Sequence, residues 1–182
     1  MQDLVVHTAS IHARTVEVCE KLPQERIPAP KLPAGRDAFE WYEETLAAML
    51  TSFRATDPAT EVWFFTADRS VAAWERRMLI ETGVHRWDAQ QAFEDPEPLL
   101  PIVAMSGLDE FGAMWLPRLG DLPALTVTAT DTGRTWTFGT GAAGAAITGT
   151  GSDIYLRLMS RPGVRLPKEW AAAVDGAATP AD

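Results

Sequence analysis

Hydrophobic positions recur with helical spacing through the first two thirds of the chain and alternate with polar ones in the last third. Over residues 3–21, Leu4, His7, Ile11 and Val18 share one helix face, and Val5, Ala9, His12, Val16 and Cys19 share its neighbour. Five prolines and glycines between 22 and 36 predict a loop. A second helix is expected over about 37–54, opened by Asp37 with Glu40 three residues on. Its proposed seam is Phe39, Tyr42, Leu46, Met49 and Phe53. A third helix runs from about Ser70 to Phe93 with the seam Val71, Trp74, Met78, Glu81, His85 and Asp88, and a further helical stretch covers about 99–116.

Beyond Leu119 the texture changes. Residues 124–130 and 134–138 alternate β-branched or aromatic with polar residues around Asp131-Thr132-Gly133, which predicts a hairpin. Residues 145–149 read as another strand, followed by a helix capped at Thr150 or Ser152 and ended by Arg161-Pro162-Gly163. The expected class is α+β: a helical bundle domain over 1–119, a small C-terminal α/β domain over 120–176 and a flexible tail over 177–182.

Composition adds mainly exclusions. The 182 residues are 46% hydrophobic and 23% charged, ordinary for a globular chain. No apolar run approaches the roughly 20 residues of a membrane helix, and the N-terminus lacks a signal-peptide pattern, so a cytoplasmic protein with no membrane partner is expected. The net charge of −9, with 25 acidic against 16 basic residues, argues against nucleic acid. A small anionic substrate drawn to the local arginines Arg69, Arg76, Arg77 and Arg86 is compatible with it. Arg76 and Arg77 read equally well as solvated arginines. The lone Cys19 allows no internal disulfide and reads as a small buried residue.

The third helix carries the candidate chemistry. Glu81 and His85 lie one turn apart on the same side, on a stripe shared with Trp74 and Met78. A carboxylate on a core-facing stripe is costly unless paired or bound to metal. A Glu and a His one turn apart, joined by an imidazole from another helix, supply three ligands of a catalytic zinc-type site. The chain has three histidines, so the third ligand is His7 or His12. At about 100° per residue the two point roughly 140° apart and cannot both face one ion.

The segment Trp74-Glu75-Arg76-Arg77-Met78-Leu79-Ile80-Glu81-Thr82-Gly83-Val84-His85-Arg86-Trp87-Asp88-Ala89-Gln90 resembles the signature of the mycothiol-dependent maleylpyruvate isomerase family, within the DinB/YfiT-like metal-binding four-helix bundles. Asp3-Leu4-Val5-Val6-His7-Thr8 resembles that family's other ligand segment, and Ser106–Phe111, Thr128–Trp136 and Ile147–Leu156 resemble its bundle end and C-terminal domain. The resemblance implies a DinB-like up-down bundle and a divalent metal, zinc by expectation, held by His7, Glu81 and His85, with His12 the competing first ligand. It further implies mycothiol as thiol cofactor and an isomerase or S-transferase activity on small electrophiles such as maleylpyruvate. Arg86 is then a candidate for holding a substrate carboxylate, and Asp88 for orienting a ligand. The alternative is a non-catalytic metal-binding bundle with a binding or regulatory role. Family members carry a further helix before the Asp-Leu-Val-His segment, so the bundle is expected to be incomplete as read, with an apolar groove that a second copy in a homodimer would cover.

Overall fold

The computed structural model describes residues 1–94 and 96–177, and they form an α+β molecule of two compact units divided after Glu97. Among the described residues no helix is long and apolar enough to cross a membrane.

The first unit holds α1 (Gln2–Lys21), α2 (Ala38–Ala55) and α3 (Val71–Gln91). α1 packs along α2 and against α3. Lying between two neighbours, it buries both apolar stripes, including Ala9, Ile11, His12, Val18 and Cys19, together with the polar Thr8, Arg14 and Thr15. The hydroxyls of Thr8 and Thr15 donate to the carbonyls of Leu4 and Ile11 one turn back, which satisfies them inside the helix. α2 opens where expected, with the Asp37 carboxylate accepting from the amides of Phe39 and Glu40. Its buried face, however, is Ala38, Trp41, Thr45 and Met49, whereas Phe39 is 54% exposed. The expected seam holds at Met49, with Leu46 and Phe53 partly buried against the core, but it fails at Phe39 and skips the buried Thr45. That residue is polar, but its hydroxyl donates to the Trp41 carbonyl and so tolerates burial.

α3 starts at Ser70, whose hydroxyl caps the Ala73 amide, and Glu61 bridges Ser70 in a short antiparallel link. Trp74 is fully buried, and its indole donates to the Trp63 carbonyl at 2.7 Å. With Ile11, Val18, Met49, Val62, Phe64, Val71 and Met78 it forms the core beneath one end of α3.

The second unit holds α4 (Pro101–Met114), a 3₁₀ turn (Leu116–Arg118), β1 (Pro123–Ala129), β2 (Thr135–Phe138), β3 (Thr140–Gly149), α5 (Gly151–Leu158) and α6 (Lys168–Gly176). The sheet order is β2-β1-β3: the expected hairpin is antiparallel, with Val127 opposite Trp136, and β3 runs parallel to β1, with Val127 opposite Ile147. Gly144 permits that close pairing, since a Cβ there would fall 1.5 Å from the Ala124 carbonyl oxygen. Leu125, Val127 and Ala129 point alternately into the core. Thr150 caps α5.

α4 belongs to this second unit, while the change in sequence texture falls at Gly120. Its partner explains the placement. Gly107 of α4 lies against the Tyr155 ring of α5 so closely that a Cβ would stand 2.4 Å from it. α6, an element the sequence pattern did not suggest, is anchored by the fully buried Trp170, whose indole donates to the Pro123 carbonyl at 2.9 Å. The expected flexible tail from 177 lies, beyond Ala177 itself, outside the described residues.

Candidate metal centre

The polar cluster of the first unit is built by α1 and α3. Helical spacing puts Glu81 and His85 on the side of α3 that meets α1, and His7 on the side of α1 that meets α3. One donor atom each from His7, Glu81 and His85 lies within 4.8 Å of the others. The Nε2 atoms of His7 and His85 stand 3.2 and 3.0 Å from the same Glu81 oxygen, Oε1. The two imidazole rings meet edge to face, with centroids 5.0 Å apart. The Glu81 and His85 side chains are 12% and 17% exposed, and that of His7 37%, so the cluster is sheltered on α3 and opens to solvent beside α1.

Each member is oriented by a neighbour. His85 Nδ1 donates to Asp88 Oδ2 at 2.9 Å, which turns Nε2 toward Glu81. Arg77, one turn before Glu81 and buried, holds the other carboxylate oxygen, Oε2, in an ion pair. Burial alone would favour a protonated Glu81. The Arg77 charge and the hydrogen bonds from His7 and His85 outweigh it and hold the carboxyl well below its ordinary range. Burial likewise opposes a charged His85, but the bonds to Asp88 and Glu81 prevail and raise its pKa to about 9. In the metal-free protein both nitrogens of that ring are therefore donors at neutral pH.

His12 stands apart from this cluster. It is fully buried, its Nε2 lies 3.2 Å from the Thr82 hydroxyl, and its Nδ1 has no hydrogen-bond partner among the described residues. Desolvation lowers its pKa to about 4 against the opposing pull of Glu81, so it is neutral at pH 7. Cys19 is also buried, and burial pushes its thiol up to about 11.

The arginines divide. Arg86 pairs with Glu97 at 2.7 Å on the surface, and Arg76 pairs with Asp68 at 2.9 Å. Arg77 is the residue whose place sequence reasoning did not single out. The signal available was its spacing of four from Glu81 on the same stripe, which a search for ligands rather than counter-charges passes over. Trp74 and Trp87 are buried in packing.

No curated protein and no solved structure matches this chain. Residues 1–90, which contain all three converging donors, match the family described as mycothiol maleylpyruvate isomerase N-terminal domain. It is the first unit that carries this likeness to the mycothiol maleylpyruvate isomerase N-terminal domain, and a small sheet-containing unit follows it.

Proposed function

We propose that the chain is a metal-dependent enzyme that uses a low-molecular-weight thiol, mycothiol, on small electrophiles, as an isomerase of the maleylpyruvate type or as an S-transferase. The observation that carries this reading is the convergence of two imidazole nitrogens and one carboxylate oxygen from α1 and α3. The donor set fits a divalent ion of the zinc class. His₂Glu is a recurrent catalytic zinc combination, and an imidazole whose far nitrogen is held by a carboxylate is the usual form of such a ligand. A bound ion would supply an open position at which a thiol is held as thiolate.

The chain's own residues do the rest. Asp88 keeps the His85 ring turned so that Nε2 faces the centre. Arg77 occupies Glu81 Oε2 and leaves Oε1 to face both imidazoles, favouring a one-oxygen ligand. Cys19, buried and with its thiol raised to about 11, is no thiolate at neutral pH, which supports an external thiol as the nucleophile. Arg86 lies on the surface next to His85 and would hold a substrate carboxylate by exchanging Glu97 for it. Reversible addition of the thiol across a cis double bond, rotation and elimination give the trans alkene and return the thiol. Addition without elimination leaves an S-conjugate.

A second reading is favoured by the Arg77–Glu81 pair: with His7 and His85 it already satisfies the buried carboxylate, as a structural network would. Metal analysis separates the two. The protein is expected to take up about one equivalent of zinc, and His85→Ala and Glu81→Ala are expected to lose it. Wild type remaining far below one equivalent after addition of zinc would reject every metal reading. With metal bound, mycothiol and maleylpyruvate or other electrophiles are expected to give trans isomer or S-conjugate. Absence of both products would leave a non-catalytic metal-binding bundle.

A further inference from the structure

The C-terminal unit contains a cavity of about 370 Å³ among the ends of α4, α5 and α6 and the 3₁₀ turn. None of the residues of the candidate metal centre lines it. Its volume falls within the range of about 300–1,000 Å³ usual for small-molecule pockets. Phe111, Trp115, Leu158, Met159 and Val174 give it apolar walls, and Arg118 supplies a cationic group.

The arginine is what selects a ligand class. Its guanidinium carbon lies 4.6 Å from the centroid of the Trp115 ring, a cation–π contact that keeps this exposed group beside the cavity. Arg134 and Arg157 in the same unit are held by Asp109 and Asp175. Arg118 makes no ion pair among the described residues, in a chain whose net charge is −9. An apolar cavity bordered by one planar, uncommitted cation complements a molecule with a hydrocarbon body and a single planar anionic end.

We propose that this cavity binds a small amphipathic carboxylate, a medium-chain fatty acid or an arylalkanoate, with its hydrocarbon against the partly exposed Trp115, Leu119 and Met159 and its carboxylate on Arg118. The site is separate from the metal centre and does not depend on the reading of that centre.

Titration calorimetry of the full chain with hexanoate, octanoate and octan-1-ol tests it. Octanoate is expected to bind saturably and more tightly than octan-1-ol. Affinity should rise roughly fourfold per added methylene until the cavity is filled. Arg118→Gln should weaken octanoate at least about tenfold, the loss of one charge-assisted contact, and leave octan-1-ol unchanged. Met159→Trp, at a partly exposed position of the lining, narrows the cavity and should weaken binding of both. Should that variant not fold, amide NMR of the wild-type chain decides the location, with octanoate shifting Ser160, Gly176 and Ala177, which also line the cavity. The proposal is overturned if octanoate fails to saturate at millimolar concentration, if the alcohol binds as well as the acid, if Arg118→Gln leaves octanoate affinity intact, or if the shifts fall elsewhere.

Discussion

His12 and His85 are imidazoles in one small helical unit, and their environments push them in opposite directions. His12 is fully buried with its pKa lowered to about 4. Between pH 4 and 6.5 the unfolded chain therefore binds a proton at this residue that the folded chain does not, so stability falls as pH falls through that window. The shift corresponds to about 3 kcal/mol. Denaturant unfolding of wild type from pH 7 to 4 should show this loss, and His12→Gln should flatten it. His85 in the metal-free protein has the reverse sign. With its folded pKa raised to about 9, its contribution is complete below 6.5 and disappears as pH rises through 9. Cys19→Ser is expected to keep metal and any turnover, and iodoacetamide should modify native Cys19 only slowly at neutral pH, because its thiol lies near 11. If the serine variant retains metal but loses all turnover, an external thiol is the wrong nucleophile. At this scale the sequence showed Glu81 and His85 well, since polar residues on an apolar stripe are conspicuous. It left His7 and His12 open on spacing, and the structure brings only His7 to Glu81 and His85. Arg77 was hidden because a basic residue on a helix is ordinarily solvated, and nothing local records that it is buried.

Helices were the most legible elements, α1 by its apolar stripes and three others also by a side-chain cap. Asp37, Ser70 and Thr150 each accept an amide hydrogen bond at the start of α2, α3 and α5. Asp37→Ala should lower stability by about 1 kcal/mol, measured by denaturant midpoint at unchanged slope. The face of α2 was harder to read, because a threonine that bonds its own helix can stand in the core where a seam count expects a hydrophobe. α6 escaped notice: nine residues rich in alanine, with Pro167 in place of a polar cap, carry little pattern. Its position depends on Trp170 reaching Pro123, a contact 47 residues distant. The approach of α4 to α5 is equally non-local. Gly107→Ala should cost about 1–3 kcal/mol, since the added methyl would overlap the buried Tyr155 ring. An unchanged melting temperature for this variant would contradict the close packing of the two helices.

At the scale of the whole molecule, periodicity was enough for the α+β class, and the sheet order required the structure. β3 joins β1 in parallel although it follows β2 directly in the chain, a pairing no run of alternating residues announces. If the proposed centre binds zinc, folding and binding are linked. A free concentration roughly 100 times Kd should add about 3 kcal/mol to stability, visible as a melting temperature that rises with zinc and falls with chelator. His85→Ala should melt at one temperature regardless of zinc.

Arg77 has a consequence for which molecules such a centre would prefer. It cancels the charge of Glu81, and Asp88 offsets only one of a divalent ion's two charges, while the imidazoles are neutral once they coordinate. Counted over these side chains alone, a bound divalent ion would leave one positive charge in excess beside largely buried groups, where uncompensated charge is expensive. Were an ion bound there, that balance would favour an anion over water or any neutral donor at the remaining coordination position, and would favour a second anion much less.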